Sequence, residues 1–317
     1  MRQVSGFEIK TWIVLCAVVF AAGASAAIAQ KARESSDHPF SLSVNVDLAI
    51  FNVAAFDSNS RSAKGLSRAN FKVTEDGVEQ TLQFVTPEDV PATVCLLIDN
   101  SGSMKAKRDD VIDTALAFVE ASNPQDEIFV VHFNERVFMG LPPSQLFTSS
   151  VEQLHAALAV MRTEGKTALN DAIAEGLKQL ERGTLQRKAL VILSDGGDNA
   201  SSLSLNEVLT LAGQSSASIY TIGIYDSEDK DRNPKVLEQI AKATGGEAVF
   251  PKSLNELPDV WRKIAGGIRN QYTIGYLSTN RNHDGAFRTV KVTAVDNAGK
   301  PLRVRARKGY LAPSSKE

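Results

Sequence analysis

The sequence has few of the side chains that form disulfides and transition-metal sites. Among 317 residues there are two cysteines, four histidines and two tryptophans. Cys16 lies in an N-terminal apolar segment, and if that segment is removed Cys95 is the only cysteine left. An internal disulfide is then excluded, so stability must come from core size, with a bound metal as a further source. Because Cys95 lies in a continuous apolar run, we expect a buried, unreactive thiol.

An excess of charge of one sign is also missing. The formal net charge is −2, with 23% charged and 43% hydrophobic residues. Nothing in this balance favours sequence-independent binding to nucleic acid or to acidic lipid. The composition is that of a globular protein, and the length allows one large domain or two ordinary ones.

The N-terminus has the pattern of an export signal. Arg2 and Lys10 precede the uncharged stretch TWIVLCAVVFAAGASAAIA at 11–29, which ends in small residues that suit cleavage. We therefore predict a signal peptide at 1–29 and a polar linker at 30–40. An uncleaved anchor is the alternative, because the stretch nearly spans a bilayer. Membrane attachment is expected only in that case. Both interpretations predict a secreted, periplasmic or cell-envelope protein.

The centre of the chain alternates short apolar runs with amphipathic patterns. The apolar runs are at 93–98, 127–133, 188–193 and 218–224. The helical patterns are at 104–121, 150–161, 168–182, 204–214, 234–243 and 254–269. This order predicts an α/β domain over 90–268, a doubly wound and mostly parallel sheet with helices on both faces. Such sheets place functional loops at the carboxyl ends of their strands.

The flanking segments are typical of β-structure. Residues 41–88 and 270–312 alternate apolar and polar positions, and we predict that they form a β-rich accessory module, with the two segments packed together. Asp76-Gly77 predicts a hairpin turn between the run at Phe71 and the run at Leu82. The basic run 303–308 alternates along one strand, which predicts a solvated face.

Three loops at the expected functional edge carry oxygen ligands. Asp99, Ser101 and Ser103 follow one apolar run, Thr167 precedes a helix, and Asp195 follows another run. Hydroxyls and carboxylates without Cys or His favour Mg²⁺, with Mn²⁺ or Ca²⁺ possible, over zinc or copper. Each loop also has an ordinary explanation, since Ser and Thr often cap helices and Asp195-Gly196-Gly197-Asp198 could form a turn.

The combination resembles the metal-ion-dependent adhesion site (MIDAS) of von Willebrand factor type A (VWA) domains. The matching motifs are D-x-S-x-S at 99–103, G-x-T-x-L-x-D-A-I at 165–173 and S-D-G at 194–196. The resemblance covers about 90–268. It implies that Asp99, Ser101, Ser103, Thr167 and Asp195 bind the ion, directly or through water. The flanks 71–77 and 307–310 are similar to exported bacterial "VWFA-related" proteins.

Other chemistries match less well. A phosphate-binding loop ending at Thr167 would need glycine at position 160, which is Val160, so no nucleotide is expected. A phosphatase using Asp99 as nucleophile would need a second Asp at Ser101. A G-x-S-x-G elbow is also missing. We therefore expect no enzyme activity and no catalytic residues.

The resemblance favours an extracytoplasmic, metal-dependent protein-binding or adhesion module. In this interpretation the divalent cation coordinates an Asp or Glu carboxylate of a protein partner. The alternative is an envelope scaffold or assembly protein that binds through its β module, with a structural metal. A metallohydrolase is the third and weakest interpretation.

Overall fold

The computed structural model describes residues 48–59, 61–86, 89–160, 163–225 and 232–314. The predicted signal peptide and linker lie outside these residues. Over the described ranges, no helix is both long and apolar enough to cross a membrane.

The strands and helices alternate through the middle of the chain and are replaced by strands alone at both ends. The strands are β1 (Leu48–Phe56), β2 (Phe71–Glu75), β3 (Val78–Gln80), β4 (Leu82–Thr86), β5 (Ala92–Asp99), β6 (Glu127–Phe133), β7 (Val137–Met139), β8 (Arg187–Ser194), β9 (Ser218–Gly223), β10 (Ala248–Val249), β11 (Tyr272–Leu277), β12 (Phe287–Val295), β13 (Pro301–Arg305) and β14 (Gly309–Leu311). The α-helices are α1 (Arg108–Ala121), α2 (Val151–Ala159), α3 (Leu169–Leu180), α4 (Leu205–Gln214), α5 (Pro234–Ala243) and α6 (Leu257–Arg269).

The central sheet positions the predicted functional loops. In the described part of the chain it has six strands in the order β10-β9-β8-β5-β6-β7. All neighbours are parallel except the short edge strand β7, which pairs antiparallel with β6. Every residue of β5 is buried, as expected for a strand covered on both faces. The carboxyl ends of β5 and β8 are neighbours, so the loops that follow them meet at one edge.

The helices cover this sheet in two groups. Helix α1 packs against both α2 and α6, and helix α4 packs against both α3 and α5. Their apolar faces join the strands in one buried core that includes Cys95, which is a free thiol. The predicted doubly wound α/β fold is therefore confirmed. Burial raises the pKa of the Cys95 thiol well above its usual value, in line with the expected unreactive thiol.

The flanking strands form a second sheet with its own core. Within the described residues it contains eight strands, in the order β3-β2-β12-β13-β1-β11-β4, with β14 beside β12. The sheet curls, because the Phe71 ring on β2 lies 5.2 Å from the Tyr272 ring on β11, four strands away in the order. Both flanks supply strands, since β1 pairs with β11 and β2 with β12. The predicted β-rich accessory module is confirmed.

The predicted hairpin has a different second strand. Asp76 and Gly77 form its two-residue turn, with positive φ at both positions, and Glu75 pairs with Val78. The second strand of the hairpin is therefore the short strand β3. The Leu82 run forms β4, which pairs with β11 at the opposite edge. Expecting Leu82 in the hairpin was wrong because alternation cannot say which strand a run will join.

The predicted solvated face at 303–308 was also wrong. Only the first arginine of the alternating set, Arg303, is exposed. The Arg305 guanidinium pairs with Glu247 at 2.5 Å, on the α/β domain. Buried Arg307 donates to the carbonyl oxygens of Ser215 at 2.7 Å and Ile50 at 2.6 Å. Two of these arginines therefore connect the β module to the α/β domain.

This connection lies away from the predicted metal loops. Asn52 on β1 donates to the carbonyl of Ser216 at 3.1 Å and to Ser218 Oγ at 3.3 Å, where β9 begins. Arg187, at the start of β8, donates to the Gln271 carbonyl at 2.5 Å, just before β11. Since β8 and β9 are parallel, both strands begin at the same end of the sheet. The predicted metal loops lie at the other end, where the carboxyl ends of the strands are.

Candidate metal site

The first predicted loop begins at the last residue of β5. Asp99 is 2% exposed, and its Oδ1 accepts the backbone N–H of Ser101 at 2.8 Å. Its Oδ2 accepts the Ser194 hydroxyl at 2.6 Å, from the end of the neighbouring strand β8. The carboxylate is therefore held from both loops, and its orientation is fixed.

The second loop places Asp195 beside the first. Asp195 is 2% exposed, and its Oδ1 accepts the Gly197 N–H at 2.9 Å. Gly196 has φ +80°, and a Cβ there would lie 2.6 Å from the Asn233 carbonyl oxygen, so only glycine fits. Ser194 Oγ accepts the Gly196 N–H at 3.0 Å while it donates to Asp99. We assigned no role to Ser194 from the sequence, although its position between a strand and Asp195 was a usable signal.

The serine hydroxyls connect the two aspartates. Ser103 Oγ donates to Asp195 Oδ2 at 2.5 Å, and Ser101 Oγ lies 3.1 Å from Ser103 Oγ. Since the Ser103 proton is directed to Asp195, Ser101 donates to Ser103. The capping alternative fails here: Ser101 precedes a 3₁₀ turn and makes no side-chain cap, and the N-cap of α1 is Lys107. Instead of capping a helix, the Ser101 hydroxyl contacts Ser103 and the Ser103 hydroxyl contacts Asp195.

Thr167 lies in a third loop that contacts the first. The N–H of Gly102 donates to the Gly165 carbonyl at 3.1 Å, and the N–H of Glu164 donates to the Asn100 carbonyl at 2.9 Å. These bonds bring the segment before Thr167 to the Asp99 loop. Thr167 does not cap helix α3, whose N-cap is Ala168 without a side-chain bond. The structure thus brings Asp99, Ser101, Ser103 and Asp195 into one hydrogen-bonded cluster, with the Thr167 loop attached to it.

Asn100 and His132, to which we also assigned no role from the sequence, hold the Asp99 loop in place. Asn100 Nδ2 lies 2.8 Å from His132 Nδ1, and His132 Nε2 lies 2.7 Å from the Ala157 carbonyl oxygen. A carbonyl only accepts, so Nε2 carries the proton and Nδ1 accepts from Asn100. Burial lowers the pKa of His132, which favours this neutral form. The contact could not be seen from the sequence, since it joins the loop after β5 to the neighbouring strand β6.

The electrostatics of the cluster favour a cation. Burial and, to a smaller extent, the charge of Asp195 raise the pKa of Asp99, hydrogen bonds from Ser101 and Ser194 oppose the rise, and the net pKa is about 6. Two buried carboxylates in one site repel each other unless positive charge is added. Among the described residues, no three His, Cys, Asp or Glu side chains gather as a metal site. A cation here would need the hydroxyls as ligands.

The donor set fits a hard divalent cation. Two carboxylates and three hydroxyls offer oxygen ligands alone, as Mg²⁺, Mn²⁺ and Ca²⁺ prefer. Asp99, Ser101, Thr167 and Asp195 are buried, whereas Ser103 is partly exposed. The cluster is therefore open to solvent on the Ser103 side.

A parallel sheet covered by helices, with acidic and hydroxyl groups on the loops at its carboxyl edge, is the arrangement of α/β domains that bind ligands at their strand ends. The family description "von Willebrand factor type A domain" matches residues 93–263. The chain belongs to this family. Its members are typically interaction modules that bind protein partners, often with a metal at the MIDAS.

Three proteins that are similar to this chain differ in how much of it they match. A von Willebrand factor type A protein from Catenulispora acidiphila is 14% identical, with a TM-score of 0.53, and the match covers 86% of this chain and 74% of that one. This likeness shows the fold. An uncharacterized protein from Synechocystis is 25% identical over 57% of this chain and 42% of its own length, so this chain spans less than half of that relative. Mussel byssus proximal thread matrix protein 1, with a zinc-occupied MIDAS motif, is 20% identical with a TM-score of 0.46, over 56% of this chain and 48% of that one.

Proposed function

We propose that this protein binds a divalent cation, Mg²⁺ in the first instance, through Asp99, Ser101, Ser103, Thr167 and Asp195. The observation that supports this most is the hydrogen-bonded series Ser101–Ser103–Asp195 beside buried Asp99. These serines cap no helix, so their hydroxyls are available as ligands. When bound, the cation supplies positive charge to the two buried carboxylates.

We further propose that the bound cation coordinates a carboxylate of a protein partner. Three of the five ligands are neutral hydroxyls, so the ligand set carries two negative charges and does not exceed the charge of a divalent ion. Ser103 leaves the cluster open to solvent. An acidic side chain can therefore approach, while a neutral one gains much less from the ion. This supports a binding module in preference to an enzyme.

The metal part of the proposal is tested by titrating metal-free protein with Mg²⁺ in a calorimeter. Asp99→Ala and Asp195→Ala should abolish binding, and Thr167→Val should weaken it while preserving side-chain shape. Asp113→Ala is a matched control, because Asp113 is an exposed carboxylate on α1. Unchanged binding in both Asp99→Ala and Asp195→Ala would refute the ligand assignment.

The partner part needs a second measurement. Proteins captured from an envelope fraction with Mg²⁺ should be released by EDTA and should not bind Asp195→Ala. The principal alternative is a scaffold that binds through its β module with a structural metal, and capture that survives both EDTA and Asp195→Ala would favour it. The connection of that module to the α/β domain through Arg305 and Arg307 is compatible with either function.

We place the protein outside the cytoplasm on the basis of the predicted signal at 1–29. Expression in a bacterial host with fractionation should recover it from the periplasm or medium, with a new N-terminus near residue 30 if the signal is cleaved. A cytoplasmic protein with intact Met1 would contradict export.

A further inference from the structure

The loop after β8 makes a second set of contacts, separate from the cluster of proposed ligands. Thr167 donates its N–H to Asn199 Oδ1 at 2.9 Å. Its carbonyl oxygen accepts the backbone N–H groups of Asn199 and Ala200, each at 3.0 Å. The backbone of Thr167 is therefore held at both its donor and its acceptor by the loop that begins with Asp195.

Two carboxylates join the loop after β8 to the start of helix α3, one from each of these segments. Asp198 Oδ2, on the loop, accepts the N–H of Asn170 in the first turn of α3 at 2.8 Å. Asp171, on the helix, accepts the N–H groups of Ser202 and Leu203, both at 2.9 Å. Helix α3 has no side-chain cap from its own N-cap residue, so Asp198 satisfies one of its free N–H groups from another part of the chain.

These carboxylates are directed to the backbone and not to the metal cluster. Both oxygens of Asp171 accept a loop N–H. Asp198 uses Oδ1 for the Ser201 N–H at 3.2 Å and Oδ2 for the Ser201 hydroxyl at 2.7 Å as well as for Asn170. Their contacts therefore join the two segments, and a role as further metal ligands would require these bonds to break.

We propose that Asn199 is a positioning residue of the metal site. It fixes Thr167 relative to Asp195, and Asp171 and Asp198 keep the loop and the helix start together as one unit. The inference rests on the proposed function, because Thr167 has a ligand to position only if a cation binds. Groups that orient metal ligands commonly change metal affinity by about 10–100-fold, and for an exposed asparagine we expect the lower end.

The test compares three variants of the full protein with wild type and with Asp195→Ala. Asn199→Ala removes the side-chain acceptor of the Thr167 N–H, and Asn199→Asp retains an oxygen in that place. Asn206→Ala is the control, since Asn206 is an exposed asparagine on the following helix, α4. Mg²⁺ affinity is measured by calorimetry, the melting temperature by thermal unfolding, and exchange of the Thr167 amide proton by NMR in metal-free protein.

We expect Asn199→Ala to bind Mg²⁺ about tenfold more weakly at an unchanged melting temperature, with faster exchange of the Thr167 amide. Asn199→Asp should restore slow exchange and wild-type or tighter binding, and Asn206→Ala should match wild type. Wild-type affinity in Asn199→Ala, together with lost binding in Asp195→Ala, would overturn the role of Asn199 and leave the metal site intact.

Two other outcomes also count against the inference. A loss of affinity in Asn199→Ala that comes with a lower melting temperature, or that Asn199→Asp fails to restore, would assign Asn199 a purely structural role. Wild-type Mg²⁺ affinity in Asp195→Ala would overturn the metal site itself, and the positioning role with it.

Discussion

Replacing Asp99 by Asn should stabilise the metal-free protein at neutral pH, although it removes a proposed ligand. Asn is nearly the same shape and can keep both contacts, with Oδ1 accepting the Ser101 N–H and Nδ2 donating to Ser194 Oγ. The substitution removes a buried charge that is held close to Asp195. Burial is the largest cause of the raised pKa of Asp99, so this charge is costly in the absence of metal.

The magnitude and sign follow from that pKa. It rises from 3.8 to about 6, which corresponds to about 3 kcal/mol at about 1.36 kcal/mol for each pH unit. Because the folded-state pKa is the higher one, protonation of Asp99 favours folding. The negative charge of Asp99 therefore costs the folded state nothing below about pH 4. The cost grows as the pH rises and reaches its full value above about pH 6. Mg²⁺ binding should offset it.

The assay is urea unfolding in EDTA at several pH values for wild type, Asp99→Asn and the exposed control Asp113→Asn. Asp99→Asn should exceed wild type by up to about 3 kcal/mol at pH 7, and the difference should vanish near pH 4. Asp113→Asn should track wild type throughout. An Asp99→Asn protein no more stable than wild type at pH 7 would refute the conclusion that the Asp99 charge is costly.

Three further predictions concern other parts of the molecule. Arg307→Met should lower the free energy of unfolding by about 2–4 kcal/mol, because the partly buried carbonyls of Ser215 and Ile50 lose their donors; denaturation in urea measures this, and Mg²⁺ affinity should not change. Gly196→Ala should cost at least about 2 kcal/mol and weaken Mg²⁺ binding, because the new Cβ would overlap the Asn233 carbonyl at a positive φ; wild-type stability and calorimetry would contradict this. Cys95 should react with a thiol reagent only after unfolding, since burial raises its pKa; rapid labelling of the native protein would be the opposite result.

The sequence predicted the α/β domain well because its strands are continuous apolar runs. The run at 127–133 became β6, and the helix predicted at 234–243 became α5, with the same bounds. Hydrophobic periodicity reports burial, and burial largely determines these elements. The Asp99 and Asp195 loops also lie at one edge, because the parallel neighbouring strands β5 and β8 end there together. Backbone hydrogen bonds bring the Thr167 loop to them.

What the sequence could not show were contacts between polar side chains and distant backbone. Asn199 and Arg307 have no partner that can be recognised from the sequence, because only the fold places a donor or acceptor beside each one. The same holds for β4, whose alternation suits either edge of the second sheet. Partner choice among polar groups depends on tertiary structure, so no local pattern encodes it.

The most direct test of the metal site is a crystal of the protein soaked in Mn²⁺ and measured for anomalous scattering. The proposal predicts a single peak at the carboxyl edge of β5 and β8, within about 2.5 Å of the Ser101 and Ser103 hydroxyl oxygens, with Thr167 and both aspartates bound directly or through water. A peak elsewhere with this cluster empty, or an ion here that Thr167 does not approach, would contradict it.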